Sequence, residues 1–146
     1  MTSGEISEPS TNRRTQACGR KDAAVRLEQA RAFLDVAQLI GDQDDELATP
    51  NVTASLAVLA GIAAADAVCC AALGQRSRSQ DHRQAVDMLG LVSGVGDTLA
   101  RELSRLLATK DDTHYGILQV SGQRLAATLR RARNLVETAE EYLAGT

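Results

Sequence analysis

The feature that most constrains this sequence is a run of small and apolar residues over positions 52–74, VTASLAVLAGIAAADAVCCAALG. Pro50 or Asn51 begins the run and Gly74 ends it, and these residue types commonly start and stop helices. A helix that is apolar on nearly every face has to be covered on nearly every face. We therefore expect this helix at the centre of a bundle or against a second subunit, with Gly61 and the many alanines allowing close approach.

Four other segments favour helices and none requires a strand. Residues 22–40 and 125–143 repeat apolar side chains at intervals of three and four, and two shorter helices are expected over 81–92 and 97–110. Aromatic residues make up only 2% of the chain, so the core is built from Ala, Leu, Val and Ile, which suits closely packed helices. The prediction is an all-α, up-and-down bundle of four to five helices.

The length of 146 residues fits one domain. Residues 1–20 are rich in Ser, Thr, Glu and Gly and have no apolar periodicity, so we expect a disordered tail there. The single helical domain is then expected over residues 21–146.

Charge and cysteine content restrict the class of protein. The net charge of −3 gives no general attraction to nucleic acid, so any such role needs a local basic patch. Cys18 and the adjacent pair Cys69 and Cys70 suggest neither a secreted disulfide framework nor a metal site, which favours a reducing cytoplasm. No signal-peptide pattern is present and Asp66 interrupts the apolar run. We expect a soluble cytoplasmic protein with no membrane segment, metal or cofactor.

Asp66 lies in the middle of the most apolar helix. An ionised carboxylate there is costly unless a cation or several hydrogen-bond donors meet it, so a partner is expected. Two interpretations stay open. Asp66 forms a structural ion pair with an arginine from another helix, or it orients an arginine or histidine at a ligand pocket.

A basic cluster follows the apolar run in the stretch GQRSRSQDHRQ, which contains Arg76, Arg78, His82 and Arg83. Arginines just after a helix end interact favourably with the helix dipole, so a solvated junction would explain them. The functional alternative is an arginine and histidine pair that binds a phosphate and moves a proton.

A second polar cluster, KDDTHY, contains Lys110, Asp111, His114 and Tyr115 at another helix junction. A histidine beside carboxylates is usually a surface residue, and His114 is the second candidate for catalysis. The glycines of SGVGDT lack the strand and lysine of a phosphate-binding loop.

Three features together resemble the HEPN family of helical domains, named from higher eukaryotes and prokaryotes nucleotide-binding. They are the small-residue second helix, the loop leading to a histidine-headed third helix, and the tail THYGILQVSGQRLAATLRRARNLVETAEEYL. The likeness covers residues 22–144. It implies a bundle of four to five helices, often dimeric, in a family that includes metal-independent ribonuclease toxins and non-catalytic partners of nucleotidyltransferases.

The ribonucleases of that family carry an arginine, four to six residues and then a histidine. Arg76 and His82 have this spacing but lie earlier in the chain than the motif usually does, whereas Lys110 and His114 stand at the usual junction with a shorter spacing. The resemblance implies that histidine acts as base or acid on a ribose 2′-hydroxyl while arginine stabilises the charged phosphate.

Three classes of function follow from the sequence. The first is a non-catalytic module, expected to be a homodimer, that binds a nucleotide, RNA or a partner such as a nucleotidyltransferase. The second is a metal-independent ribonuclease that uses Arg76 or Arg78 with His82, and His114 as a further candidate. The third is a structural bundle without a ligand. Arginines in a cleft favour ligand binding, and an exposed apolar face on the second or last helix would mark a protein interface.

Overall fold

The computed structural model describes residues 14–41, 50–115 and 122–146, with the side chains of 110–115 excepted. These residues form an all-α bundle with a very small two-stranded ribbon, which confirms the predicted fold class. In chain order the elements are β1 (Thr15–Ala17), α1 (Arg20–Gly41), α2 (Pro50–Leu73), β2 (Gln75–Ser77), α3 (Arg83–Leu89), α4 (Gly96–Tyr115) and α5 (Gly122–Ala144).

Helix α2 lies at the centre of the bundle, as its apolar sequence predicts, and contacts each of the other four helices. Gly61 shows how close these contacts are, because a Cβ there would lie 2.5 Å from Leu106 Cδ1 and 3.2 Å from Leu135 Cδ1. A larger residue at position 61 would therefore push α4 or α5 away from α2. The small residues of α2 allow leucines from neighbouring helices to pack directly against its backbone.

Within the described residues, α2 is the one helix long and apolar enough to cross a membrane by length and composition. Its most apolar window is 72% buried by the rest of the bundle. Such burial is expected for the core helix of a soluble protein, where the other helices supply the apolar surroundings.

The structure differs from the sequence prediction just before α1. Residues Thr15–Ala17 form β1, which pairs antiparallel with β2, although we expected residues 1–20 to be a disordered tail and expected no strand. Local periodicity could not reveal this pairing, because each strand has three residues and the partners lie 60 positions apart. Residues 1–13 lie outside the described residues.

A disulfide joins Cys18 to Cys70, and Cys69 is a buried free thiol. The interpretation that the three cysteines form no disulfide framework therefore missed this bond. The strand pairing brings Cys18 onto the last turns of α2, where Cys70 lies, and a sequence separation of 52 residues concealed this proximity. The cysteines consequently no longer favour a reducing compartment.

Candidate functional site

The candidate site is built around the buried carboxylate of Asp66, whose residue is 4% exposed. Arg26 of α1 donates a hydrogen bond from Nε to Asp66 Oδ2 at 2.9 Å. Arg76 of β2 brings its Nη1 to 3.8 Å from the same oxygen. The buried carboxylate thus has the cationic partner that it requires. It has two such partners, Arg26 and Arg76, which come from different elements.

Two glutamines hold these arginines in place. Gln29 Oε1 accepts a hydrogen bond from Arg26 Nη1 at 2.8 Å, and Gln16 Oε1 of β1 accepts one from Arg76 Nη2 at 3.1 Å. Each guanidinium is therefore held both by the glutamine and by Asp66. Their orientation is set before any ligand arrives, which lowers the entropy lost on binding.

Sequence reasoning did not identify Arg26 as a site residue. Arg26 lies three residues after Ala23 and four before Ala30, both fully packed in the core, so it borders the buried stripe of α1. An arginine at the edge of an apolar stripe is a signal for a partly buried cation, but the sequence alone does not show that Asp66 lies opposite it.

The loop that carries Arg76 and His82 is shaped by local hydrogen bonds. Gly74 has φ +71°, which lets the chain leave α2 and enter β2. Ser77 Oγ then accepts from the Ser79 backbone N–H at 3.2 Å, Ser79 Oγ from the Asp81 N–H at 3.1 Å, and Asp81 Oδ1 from the Arg83 N–H at 3.1 Å. These hydrogen bonds hold the loop in its turn conformation, which explains why serines and an aspartate occupy these positions.

His82 lies at the turn immediately before α3 and is half-buried. Its charge lowers the pKa of Asp66, as the charges of Arg26 and Arg76 do. Arg76 and His82, separated by five residues in the sequence, therefore act electrostatically on one carboxylate. The structure brings together two of the four predicted catalytic candidates.

The remaining candidates lie away from Asp66 or outside the described side chains. The Arg78 side chain is exposed, and Arg83 lines a separate depression of about 800 Å³ with Ser79, Asp87 and Leu91. The structure does not describe the side chains of the second cluster, namely Lys110, Asp111, His114 and Tyr115.

A cavity of about 230 Å³ opens beside the two arginines. Its lining includes Arg26, Arg76, their two glutamine partners, Asp22 and the Cys18–Cys70 disulfide. The volume holds roughly eight water molecules at about 30 Å³ each. It is too small for a whole nucleotide and large enough for one phosphate or carboxylate group.

Asp22 is the acidic residue at the edge of this cavity. Its Oδ2 accepts a hydrogen bond from the Gly19 backbone N–H at 2.9 Å, at the N-terminus of α1. This hydrogen bond and the positive end of the helix dipole stabilise the Asp22 carboxylate at the start of α1. Among the described residues, no three histidine, cysteine or carboxylate side chains group as metal ligands.

Burial raises the pKa of Asp66 above its ordinary value of 3.8, and the charges of Arg26, Arg76 and His82 oppose this rise. A carboxyl group with a raised pKa binds its proton more tightly in the folded than in the unfolded protein. Its contribution to stability is therefore largest below pH 3.8 and is lost as the pH rises through the folded-state pKa.

We accordingly expect the unfolding free energy of the parent, relative to Asp66→Asn, to decrease as the pH rises from about 4 to 7. The asparagine side chain keeps an oxygen that can accept the hydrogen bond from Arg26, but it does not titrate. Asp66→Asn is therefore the reference for the pH dependence. Urea unfolding of both proteins across this range measures the difference. A difference that stays constant or increases with pH would contradict the raised pKa.

Comparison of the chain with family models, with curated proteins and with solved structures gives no match. The resemblance to HEPN domains therefore stays a prediction from the sequence.

Proposed function

We propose that this protein is a helical binding module whose Arg26, Arg76 and Asp66 cluster recognises one phosphate group of a nucleotide or RNA. The observation that supports this most strongly is the arrangement of two arginines from α1 and β2, both oriented by one buried carboxylate, at the same small cavity. A structural ion pair alone needs only one of them.

Arginine is the side chain best suited to this ligand. Its planar guanidinium carries five N–H donors and matches the oxygens of a phosphate in a bidentate manner. Arg26 uses two of its donors in hydrogen bonds to Asp66 and Gln29, and Arg76 uses one in the bond to Gln16. The remaining donors are available to a ligand that enters the cavity.

The charges near the cavity favour an anion only locally. Arg26 and Arg76 contribute two positive charges, and Asp66 and Asp22 contribute two negative charges, so the formal sum is zero and an anion is favoured only by direct contact with the guanidinium N–H groups. The whole chain has a net charge of −3, so long-range attraction to RNA is weak. Recognition then depends on short-range contacts, which suits a single phosphate group better than a long nucleic-acid footprint.

The experiment that tests this proposal is a calorimetric titration of the oxidised protein with a nucleoside monophosphate, with the unphosphorylated nucleoside as the control. We expect saturable binding of the nucleotide and none of the nucleoside, because the phosphate supplies the contacts. Absence of nucleotide binding, or equal binding of the nucleoside, would contradict the proposal.

A second candidate function, metal-independent cleavage of RNA, is favoured by one observation. His82 and Arg76 both act electrostatically on the Asp66 carboxylate, so a histidine lies near the proposed phosphate-binding cation, outside the cavity lining itself. His82 would remove the proton of a ribose 2′-hydroxyl, and the oxygen would attack the adjacent phosphorus while Arg76 stabilises the added charge. The bond from phosphorus to the 5′-oxygen of the next nucleotide would then break, and that oxygen would leave with the proton held by His82.

The proposed module is also expected to be a homodimer. Although α2 is mainly buried, Val52 and Leu59 are 48% and 44% exposed, and Leu39 of α1 is 62% exposed. Exposed apolar side chains on the second helix are what an interface would require. A nucleotidyltransferase partner and a cytoplasmic location stay predictions, and a reducing cytoplasm would act directly on the Cys18–Cys70 disulfide.

We expect light scattering to give a solution mass near twice the 15.5 kDa of one chain. Leu59→Glu should shift the protein towards the monomer, because a carboxylate in an apolar interface loses its hydration. Leu91→Glu is a matched control, since Leu91 is 72% exposed and follows α3. A monomeric parent would contradict the dimer.

A further inference from the structure

The Cys18–Cys70 disulfide is part of the proposed phosphate site. Cys70 lies four residues after Asp66 on α2, which places the two side chains on the same face of the helix. Both cysteines line the cavity that contains Arg26 and Arg76. The covalent link between β1 and α2 is therefore also a wall of this cavity.

Few other interactions hold β1 in place. All three of its residues are exposed, and its contacts to β2 are backbone hydrogen bonds and the Gln16–Arg76 bond. Flanking backbone bonds join Cys18 N–H to Gly74 O at 3.0 Å and Arg78 N–H to Arg14 O at 2.7 Å. A two-stranded ribbon with no buried side chain is marginally stable in water, so the disulfide is the main restraint on β1.

We propose that the Cys18–Cys70 disulfide is a redox switch for the phosphate site, in which reduction releases β1 and weakens phosphate binding. This inference rests on the proposed function. Release of β1 removes Gln16, Ala17 and Cys18 from the cavity wall. Arg76 then loses the glutamine that orients it, while Arg26 and Asp66 keep their contact within the bundle.

The reaction is thiol–disulfide exchange with a dithiol reductant. One thiolate of the reductant attacks Sγ of Cys18, which is half-buried, and Cys70, only 3% exposed, leaves as a thiolate and takes up a proton. The second thiol of the reductant then attacks its own sulfur in the mixed disulfide and releases the Cys18 thiol. Two electrons and two protons pass to the protein, and the reductant becomes a disulfide.

Cys69 does not compete in this exchange. It is 2% exposed, and burial followed by the charge of Asp66 raises the pKa of its thiol to about 12. A thiol with this pKa is protonated at neutral pH and is a poor nucleophile. The switch therefore has two defined states, with Cys18 and Cys70 either bonded or both reduced.

The packing of the bundle predicts that it survives reduction. Helices α1 and α2 pack against each other, and Ala30, Leu34 and Ala57, all fully buried, belong to the core of the bundle and not to the ribbon. Loss of the disulfide should consequently release residues 14–18 from β2 and α2 without unfolding the helices. Amide hydrogen exchange would show this as faster exchange confined to β1 and β2.

The test is calorimetric titration of the full chain with inorganic phosphate and with a nucleoside monophosphate, in the oxidised and dithiol-reduced states. We expect reduction to weaken binding by about 5- to 10-fold, the effect of one lost hydrogen bond. Cys18→Ala should bind like the reduced parent and should not respond to reductant. Cys69→Ala keeps the disulfide and should respond as the parent does.

The outcomes separate the two proposals. If the oxidised protein binds and the reduced protein binds equally or more tightly, the switch is overturned and the phosphate site remains supported. Failure of the oxidised protein to bind either ligand would overturn both. Alkylation and mass spectrometry of the unreduced protein should show only Cys69 free, and three free thiols would also overturn the switch.

Discussion

Replacing Arg76 with glutamine is expected to weaken binding of a nucleoside monophosphate by about 10- to 100-fold, because a hydrogen bond to a charged group is worth about 1.5–3 kcal/mol. Arg76 is held by Gln16 at 3.1 Å and lies 3.8 Å from Asp66, so its guanidinium is oriented but only partly neutralised. Glutamine keeps much of the length and polarity of the side chain. Calorimetric titration measures the change.

Arg83→Gln is the matched control for this prediction. Arg83 is exposed, has the same charge and lines a different depression seven residues along the chain. Its loss should change the affinity by less than about 3-fold, since an exposed charge contributes little. Equal losses in the two variants would mean that binding follows net charge and not the cavity. An unfolding midpoint in urea close to that of the parent would show that the Arg76 variant is folded.

His82→Ala is expected to lower cleavage of RNA in excess chelator by about 10²- to 10⁴-fold, the contribution typical of a general base. His82 is half-buried before α3 and its charge acts on the same carboxylate as that of Arg76, which makes it the first histidine to test. The rate of cleavage of a fluorescent RNA, measured for parent and variant at equal concentration, gives the factor.

Two further variants serve as controls for the His82→Ala experiment. Arg83→Ala, at the next and exposed position, should retain the activity of the parent, and His114→Ala tests the second sequence candidate. Cleavage that persists at the parental rate in His82→Ala would remove His82 as the base. If the parent does not cleave RNA, the nuclease candidate fails and the binding module is unaffected.

The fold could be predicted from the sequence because the bundle depends on local patterns. The apolar run over 52–74 requires burial on all sides, and the repeats of α1 and α5 each mark one buried face. Such patterns depend on residues three and four positions apart. Periodicity of this kind indicates helices directly, and the five helices in the described part of the chain leave few other arrangements.

The site could be predicted only in part, because its members are distant in the sequence. Asp66 was a candidate because a carboxylate in an apolar helix needs a partner, and Arg76 because it forms an arginine and histidine pair with His82 in the basic cluster. Arg26 and Gln16 come from elements 40 and 60 residues away from their partners, and only the folded chain brings them together.

The disulfide was missed for a related reason. Adjacent cysteines inside an apolar helix suggested reduced thiols, and the sequence does not show that Cys70 faces the start of α1 while Cys69 faces the core. Strands of three residues, such as β1, have no periodicity to detect. Pairings between distant short segments are fixed by tertiary structure, which local rules do not contain.

The central claim is that a phosphate binds directly between Arg26 and Arg76, and arginine side-chain NMR of the oxidised protein tests it most directly. The Nε–Hε signals of these two arginines should shift progressively and saturate as inorganic phosphate is added, while that of Arg83 should stay nearly unchanged. Shifts of equal size at exposed arginines, or no shift at Arg26 and Arg76, would contradict the claim.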